Sequence, residues 1–339
     1  MVAAIGVIGA GTISRSVHLP VLTAMSAARV AWVADASDGQ ASAVAAAFGV
    51  PHAPIADLER VLGACDAVLL AIPVGVRAAY LQQLSRHGVA VLVEKPFARS
   101  VEEFDANLAL FPAHRIACGF MRRTYSSTLQ MLTILQEGWF GRPTRVRIAE
   151  GGRTTRTGAD RSYFDDPAAG GGGILLELGC HALDQVLFLL GTADHEIVSQ
   201  HMLLDGHADR KAEGEVLLYP EPARGGQPVV LEYVFSWLDV QENTIEFEFP
   251  TARVRFGTRP DAPVLISGRD SAAAGLPLQL AARGATTTNQ AFYMEWRWLL
   301  EGLASGVPSP VAAHTCRPVT ALVETLYAAA RIDATRKVS

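Results

Sequence analysis

The first third of the chain repeats one pattern. A short, unbroken apolar run is followed by a longer stretch whose apolar positions have helical spacing. The runs fall at residues 3–8, 29–34, 67–72, 90–93 and 116–120, and helical segments near 12–22, 40–48, 76–87 and 101–110 separate them. Apolar runs without alternation mark strands buried on both faces, and the helices between them supply the crossovers of a parallel sheet. The pattern predicts an α/β domain, an N-terminal doubly wound (Rossmann) parallel sheet.

After residue 122 the pattern changes. A helix over 127–136, a strand over 144–149, a loop with Arg153, Arg156 and Arg161, and a helix over 175–190 come first. Strand-like runs at 215–218, 229–237, 244–249 and 254–256 then follow without helices between them, and helices near 290–303 and 318–331 close the chain. Successive strands without crossovers predict an α+β domain with a large open, mainly antiparallel sheet. The expected division is 1–122 and 123–339, with the terminal helix able to pack back on the first domain. Residues 244–249 alternate polar and apolar, as a strand with one wet face does. The exposed face is expected to carry Ile245, Phe247 and Phe249 or their neighbours. A second subunit is expected to cover it, making a homodimer or homotetramer.

Composition narrows the function. At 339 residues, 50% hydrophobic and 19% charged, the chain has apolar mass for two cores, which excludes disorder. A formal charge of -5 counts against a nucleic-acid partner. Cys65, Cys118, Cys180 and Cys316 lie far apart without ligand spacing, so neither a metal site nor a disulfide framework is read from them. The start lacks the basic and cleavage features of a signal peptide, and the most apolar stretch, 174–190, contains Glu177, His181 and Asp184. A cytoplasmic protein with no membrane partner is expected.

Three constellations carry chemistry. Gly9-Ala10-Gly11-Thr12-Ile13-Ser14 directly follows the first strand and opens a helix. Glycine is needed where such a turn is tight and where backbone approaches a pyrophosphate resting on the helix N-terminus. Asp35 ends the second strand, 24 residues after Gly11, where a carboxylate reads ribose hydroxyls. With Asp38 nearby and no Arg or Lys at 36–38, the pattern favours NAD over NADP. The plain alternative is that Asp35 caps the following helix. Glu94-Lys95-Pro96 ends the fourth strand, where doubly wound folds place ligands. Lys95 there can orient a substrate hydroxyl or be a surface charge, and the peptide before Pro96 is a candidate for the cis form. Gly170–Gly173 precedes Glu177, His181 and Asp184, whose spacing puts three ionisable groups on one face of an apolar helix. A carboxylate can fix the imidazole tautomer and leave the other nitrogen for proton transfer. A satisfied core histidine and a metal ligand are the competing readings.

In this order and spacing the three constellations resemble the Gfo/Idh/MocA family of oxidoreductases. His18-Leu19-Pro20, Gly119-Phe120-Met121-Arg122-Arg123, Gly138-Trp139-Phe140-Gly141 and Pro308-Ser309-Pro310-Val311 extend the resemblance along nearly the whole chain. It implies a nicotinamide-dependent enzyme acting on a sugar or cyclitol. Lys95 and His181 match the family's catalytic lysine and histidine, Glu177 stands where most members carry aspartate, and Asp184 matches a downstream aspartate. Cofactor contacts are expected from Gly9, Gly11, Thr12, Ile13, Asp35, Ile72, Pro73, Glu94, Lys95 and Pro96. Substrate contacts are expected from Lys95, Arg122, Tyr163, His181 and Asp184. The chain departs from the pattern at Ser14 and at Ile72-Pro73-Val74-Gly75-Val76-Arg77, where a Thr-Pro-Asn…His stretch is expected. If the arginines at 122, 123, 153, 156 and 161 faced a cleft, the substrate would be anionic. A dinucleotide-dependent glycosidase using transient oxidation and a non-catalytic dinucleotide sensor are the alternative functions.

Overall fold

The computed structural model describes residues 2–153, 172–220, 227–271, 273, 275–278, 280 and 284–334. The chain forms two compact units, one of residues 1–121 and 288–317, the other of 122–287 and 318–339. The unit therefore changes after Met121. The helix that returns to the first unit is not the terminal one but Thr288–Ser305.

In the first unit β1 (Ala3–Ile8), β2 (Ala28–Ala34), β3 (Ala67–Leu70), β4 (Ala90–Val93) and β5 (Ile116–Cys118) form a parallel sheet in the order β2-β1-β3-β4-β5. The chain runs from β1 to β2 on one side and places β3 on the other, so the order reverses between β1 and β3, where such sheets bind ligands. Helices α1 (Leu19–Ala24), α2 (Asp38–Phe48), α3 (Leu58–Leu62), α4 (Arg77–Arg86) and α5 (Val101–Leu108) make the crossovers. α2 starts on Ser37, whose hydroxyl accepts from Gln40 N, and stops at Gly49 with φ +64°. One core joins Ile5, Val7, Leu69 and Leu92 of the sheet to Leu19 and Leu22 and to Phe292, Trp296 and Leu299 of the returning helix.

The second unit contains α6 (Ser126–Gln136), α7 (Cys180–Leu190) and α9 (Arg317–Ala329), the returning helix being α8. Among the described residues nine strands form its sheet. They are β6 (Arg145–Gly151), β7 (Thr192–Asp205), β8 (Ala208–Pro220), β9 (Val229–Ser236), β10 (Thr244–Glu248), β11 (Ala252–Gly257), β12 (Val264–Gly268), β13 (Leu276–Leu278) and β14 (Arg331–Ala334). Their order is β13-β12-β11-β10-β6-β9-β8-β7-β14, antiparallel except for the β6–β9 and β7–β14 pairs. Among the described residues no helix is long and apolar enough to cross a membrane.

The alternation in β10 is observed, but its polarity corrects the expectation. Ile245, Phe247 and the following Phe249 are fully buried within this chain. The other side is charged. Arg147 Nε reaches Glu232 at 2.8 Å and its Nη1 reaches Glu248 at 3.3 Å, Arg145 pairs with Glu232, and Arg269 meets Glu248 at 3.1 Å. Exposed pairs of this kind contribute little individually, about 0–1 kcal/mol. Their effect is to make the outer face wet, which removes the apolar strip from which self-association is expected.

Candidate active site

The glycine turn is built as its spacing implies. Gly9 adopts φ +104°, and a Cβ there would lie 2.2 Å from the Ala71 carbonyl oxygen, so only glycine lets the turn cross the end of β3. A Cβ on Gly11 would meet nothing within 4 Å. Packing does not demand that glycine, which leaves bare backbone on an open side, the surface a pyrophosphate needs. Ser14, at the third glycine position, is buried and its hydroxyl donates to Gly9 O at 2.6 Å. Thr12 is exposed and Ile13 half-buried at the helix start, and a widened turn over Ser14–His18 leads into α1.

Asp35 accepts from Ala10 N at 2.7 Å and from Ser37 N at 2.8 Å, while Gln40 Nε2 donates to Ala10 O at 2.9 Å. The helix cap is Ser37, so Asp35 instead ties the end of β2 to the glycine turn. Each carboxylate oxygen accepts more than one bond, so Asp35 keeps capacity for a hydroxyl donor.

At the end of β4, Glu94 is buried. Its Oε1 lies 2.8 Å from His18 Nε2, and its Oε2 accepts from Lys95 N at 3.1 Å. The His18 Nδ1 accepts from Trp296 Nε1 at 3.1 Å. Burial alone would raise the Glu94 pKa, but the hydrogen bond from His18 and the charges of Lys95 and Arg77 outweigh it and hold the carboxyl below its usual 4.5. The Lys95–Pro96 peptide is cis, and Lys95 is half-buried. Arg77, a departure in the sequence pattern, is a buried clamp. Its Nε donates to Ile72 O at 2.8 Å, and its Nη1 donates to Glu94 O at 2.5 Å and to Pro96 O. Ile72 is half-buried and Pro73 exposed, so this loop keeps its place through the arginine. No local signal distinguishes such a clamp from a surface arginine, because its acceptors are backbone carbonyls of another segment.

In the second unit, Asp209 organises the histidine helix. Its carboxylate accepts from Gly173 N at 2.6 Å, Leu175 N at 2.8 Å and Tyr327 Oη at 2.8 Å. Burial raises the Asp209 pKa, opposed by these bonds. A Cβ on Gly173 would lie 2.1 Å from Asp209 O, and one on Gly172 2.4 Å from Tyr327 Oη, so these two glycines serve close packing. A widened turn over Leu175–Gly179 then precedes α7, so regular helical spacing does not hold between Glu177 and His181. Glu177 is half-buried, and His181 is 7% exposed with Nδ1 buried.

Two of the expected substrate contacts have charged partners within the protein. Asp184 is 1% exposed, and both its oxygens bind Arg123, at 2.8 Å from Nε and 2.5 Å from Nη2. Burial raises the Asp184 pKa, and the Arg123 charge opposes it. Arg122 is buried and grips Glu150 in the same two-pronged way, at 2.9 and 2.7 Å. A charge sequestered in protein needs a partner, and these four residues form two buried ion pairs. Arg153 is exposed. Arg156, Arg161, Tyr163, Gly170 and Gly171 lie outside the described residues.

A parallel sheet with a pyrophosphate-ready glycine turn at its switch point, joined in one chain to a large mixed sheet, defines a class of dinucleotide-binding proteins with a second, open-sheet domain. Residues 3–119 match the family model described as oxidoreductase family, NAD-binding Rossmann fold, and 128–219 match the GFO/IDH/MocA C-terminal domain. The chain belongs to the Gfo/Idh/MocA family of oxidoreductases. It is similar to an inositol 2-dehydrogenase of Rhizobium meliloti, 30% identical over 55% of this chain and 54% of that protein, so the match spans about half of the relative's length. It is also similar to a D-xylose 1-dehydrogenase (NADP(+)) of Haloferax volcanii, 28% identical over 64% of this chain and 66% of the relative. Its fold resembles that of KijD10, a 3-ketoreductase from Actinomadura kijaniata solved with NADP and TDP-benzene, with a TM-score of 0.79, 22% identity and coverage of 99% of this chain and 100% of that one.

Proposed function

We propose that the protein is an NAD(P)-dependent oxidoreductase acting on a CH–OH carbon of a sugar, cyclitol or sugar derivative. The observation that supports this most is the glycine turn, with Gly9 at positive φ, Gly11 facing open space and Asp35 bound to Ala10 N. A bound nicotinamide supplies a two-electron hydride acceptor or donor. Gly9, Gly11, Thr12 and Ile13 hold the pyrophosphate at the helix start, Asp35 holds the ribose, and Ile72, Pro73, Glu94, Lys95 and Pro96 form the strand ends beside it. His181 takes the substrate hydroxyl proton as the carbon's C–H bond breaks and its carbonyl forms, and returns that proton in the reverse direction. Lys95 donates a hydrogen bond to the reacting oxygen, and Glu177 orients the imidazole.

Ala36, Ser37 and Asp38 offer no cation to a 2′-phosphate, which favours NAD. The anionic-substrate reading loses Arg122 and Arg123, whose charges are neutralised internally. A panel of sugars, inositols, uronates and nucleotide sugars, assayed with NAD and NADP by the absorbance of the reduced nicotinamide, tests the reading. Net reduction or oxidation with at least one compound is expected. Turnover with no net redox change points to glycosidase chemistry, and dinucleotide binding without turnover across the panel overturns the enzyme reading.

A further inference from the structure

We propose that Trp296 and His18 are positioning residues for Lys95: the indole fixes the imidazole tautomer, and that tautomer holds the Glu94 carboxylate against the Lys95 backbone. This rests on the reading that Lys95 contacts the reacting oxygen, but the relay itself is argued from hydrogen-bond polarity alone.

The indole N–H of Trp296 only donates, so His18 Nδ1, 3.1 Å away, must be the acceptor. The imidazole proton then sits on Nε2 and is donated to Glu94 Oε1 at 2.8 Å. Glu94 Oε2 accepts from Lys95 N at 3.1 Å, so both oxygens accept and the group is a carboxylate. Every alternative is opposed. A proton on Oε1 requires the Nδ1–H tautomer, which sets two donors face to face with Trp296. A proton on Oε2 faces the Lys95 N–H. An imidazolium again points Nδ1–H at the indole. Because His18 and Trp296 are fully buried, with Phe292 edge-on to the imidazole at 4.8 Å, water cannot relieve the mismatch. One arrangement is satisfied, and the donors all point toward Glu94.

The consequence falls on Lys95. Its amide is held by Glu94 Oε2, and the carbonyls on either side of it, Glu94 O and Pro96 O, are both held by Arg77. The backbone from which the lysine projects is thereby fixed at three points. A catalytic group gains from such pre-orientation, since small misplacements cost large factors in rate.

The test compares wild type with Trp296→Phe, His18→Gln and His18→Leu. Glutamine preserves the polarity, because its oxygen can accept from the indole and its nitrogen donate to Glu94, whereas leucine does neither. In the wild type, the ring-nitrogen resonances of His18 are expected to report a neutral Nε2–H imidazole at neutral pH. The Lys95 amide proton is expected to shift in Trp296→Phe and His18→Leu but not in His18→Gln. With a substrate from the panel, kcat is expected to fall about 10–100-fold in Trp296→Phe and His18→Leu, with the KM for dinucleotide little changed, and to be largely retained in His18→Gln. An Nδ1–H or charged His18 in the wild type, an unmoved Lys95 amide, or equal losses in the Gln and Leu variants would overturn the proposal. A wild type inactive on every substrate overturns the catalytic reading, while the two resonances still decide the relay.

Discussion

Asp35 holds the glycine turn and is also the proposed contact to the ribose. It closes the glycine turn through Ala10 N, and its remaining lone pairs suit ribose hydroxyls. Asp35→Ala is expected to weaken NAD binding by about 1–3 kcal/mol and to lower the ratio of NAD to NADP affinity, measured by titrating both dinucleotides. An unchanged ratio would remove Asp35 from ribose recognition. His181→Ala is expected to lower kcat by about 10²–10⁴ while dinucleotide binding persists, and wild-type turnover would take the imidazole out of the mechanism. Glu94 carries a pH prediction. Its folded pKa lies below the usual 4.5, so its contribution to stability is complete above that value and is lost as the pH falls through the lower, folded one. In denaturant unfolding, the gap between wild type and Glu94→Gln is therefore expected to be widest at neutral pH and to close on acidification. At this scale the identity of Asp35, Lys95 and His181 as candidates was legible, because each sits at a motif position. The partners of Arg77, Arg122, Arg123 and Asp184 were not, since a charge on a sequence carries no record of what neutralises it.

Among the elements, the segment leading into α7 depends on a residue far from it. Asp209, 36 positions after Gly173, satisfies two amides that open the segment and the Tyr327 hydroxyl. Asp209→Ala is expected to cost about 1–3 kcal/mol in urea unfolding, because those donors are left buried without an acceptor. A loss below a few tenths would show that water replaces the carboxylate. The widened turns at Ser14–His18 and Leu175–Gly179 escaped the periodicity argument, which presumes regular helical spacing throughout. β7 and most of β8 were also missed, since β7 carries polar or charged side chains at many positions and has little apolar alternation. In β10 the alternation established two faces, yet which one turned inward was decided by the strands and helices around it.

For the whole molecule, the first unit is discontinuous. Residues 288–317 bring Phe292, Trp296, Leu299 and Val311 to its core. A chain of residues 1–121 alone is expected to unfold without cooperativity in thermal circular dichroism, because that apolar surface lies open, and linking 288–317 to it is expected to restore a cooperative transition. A sharp transition for 1–121 alone would show that the returning helix is dispensable. Continuous apolar strands, helical spacing between them and glycines at one turn determined the doubly wound sheet and its family, because these signals are local and repeat along the chain. The tertiary structure alone decided that Trp296 meets His18 across 278 positions, that consecutive arginines turn inward to separate carboxylates, and that the apolar side of β10 is covered. Pairing and burial are settled by whichever groups the fold brings within a few ångströms, and sequence distance does not encode that proximity.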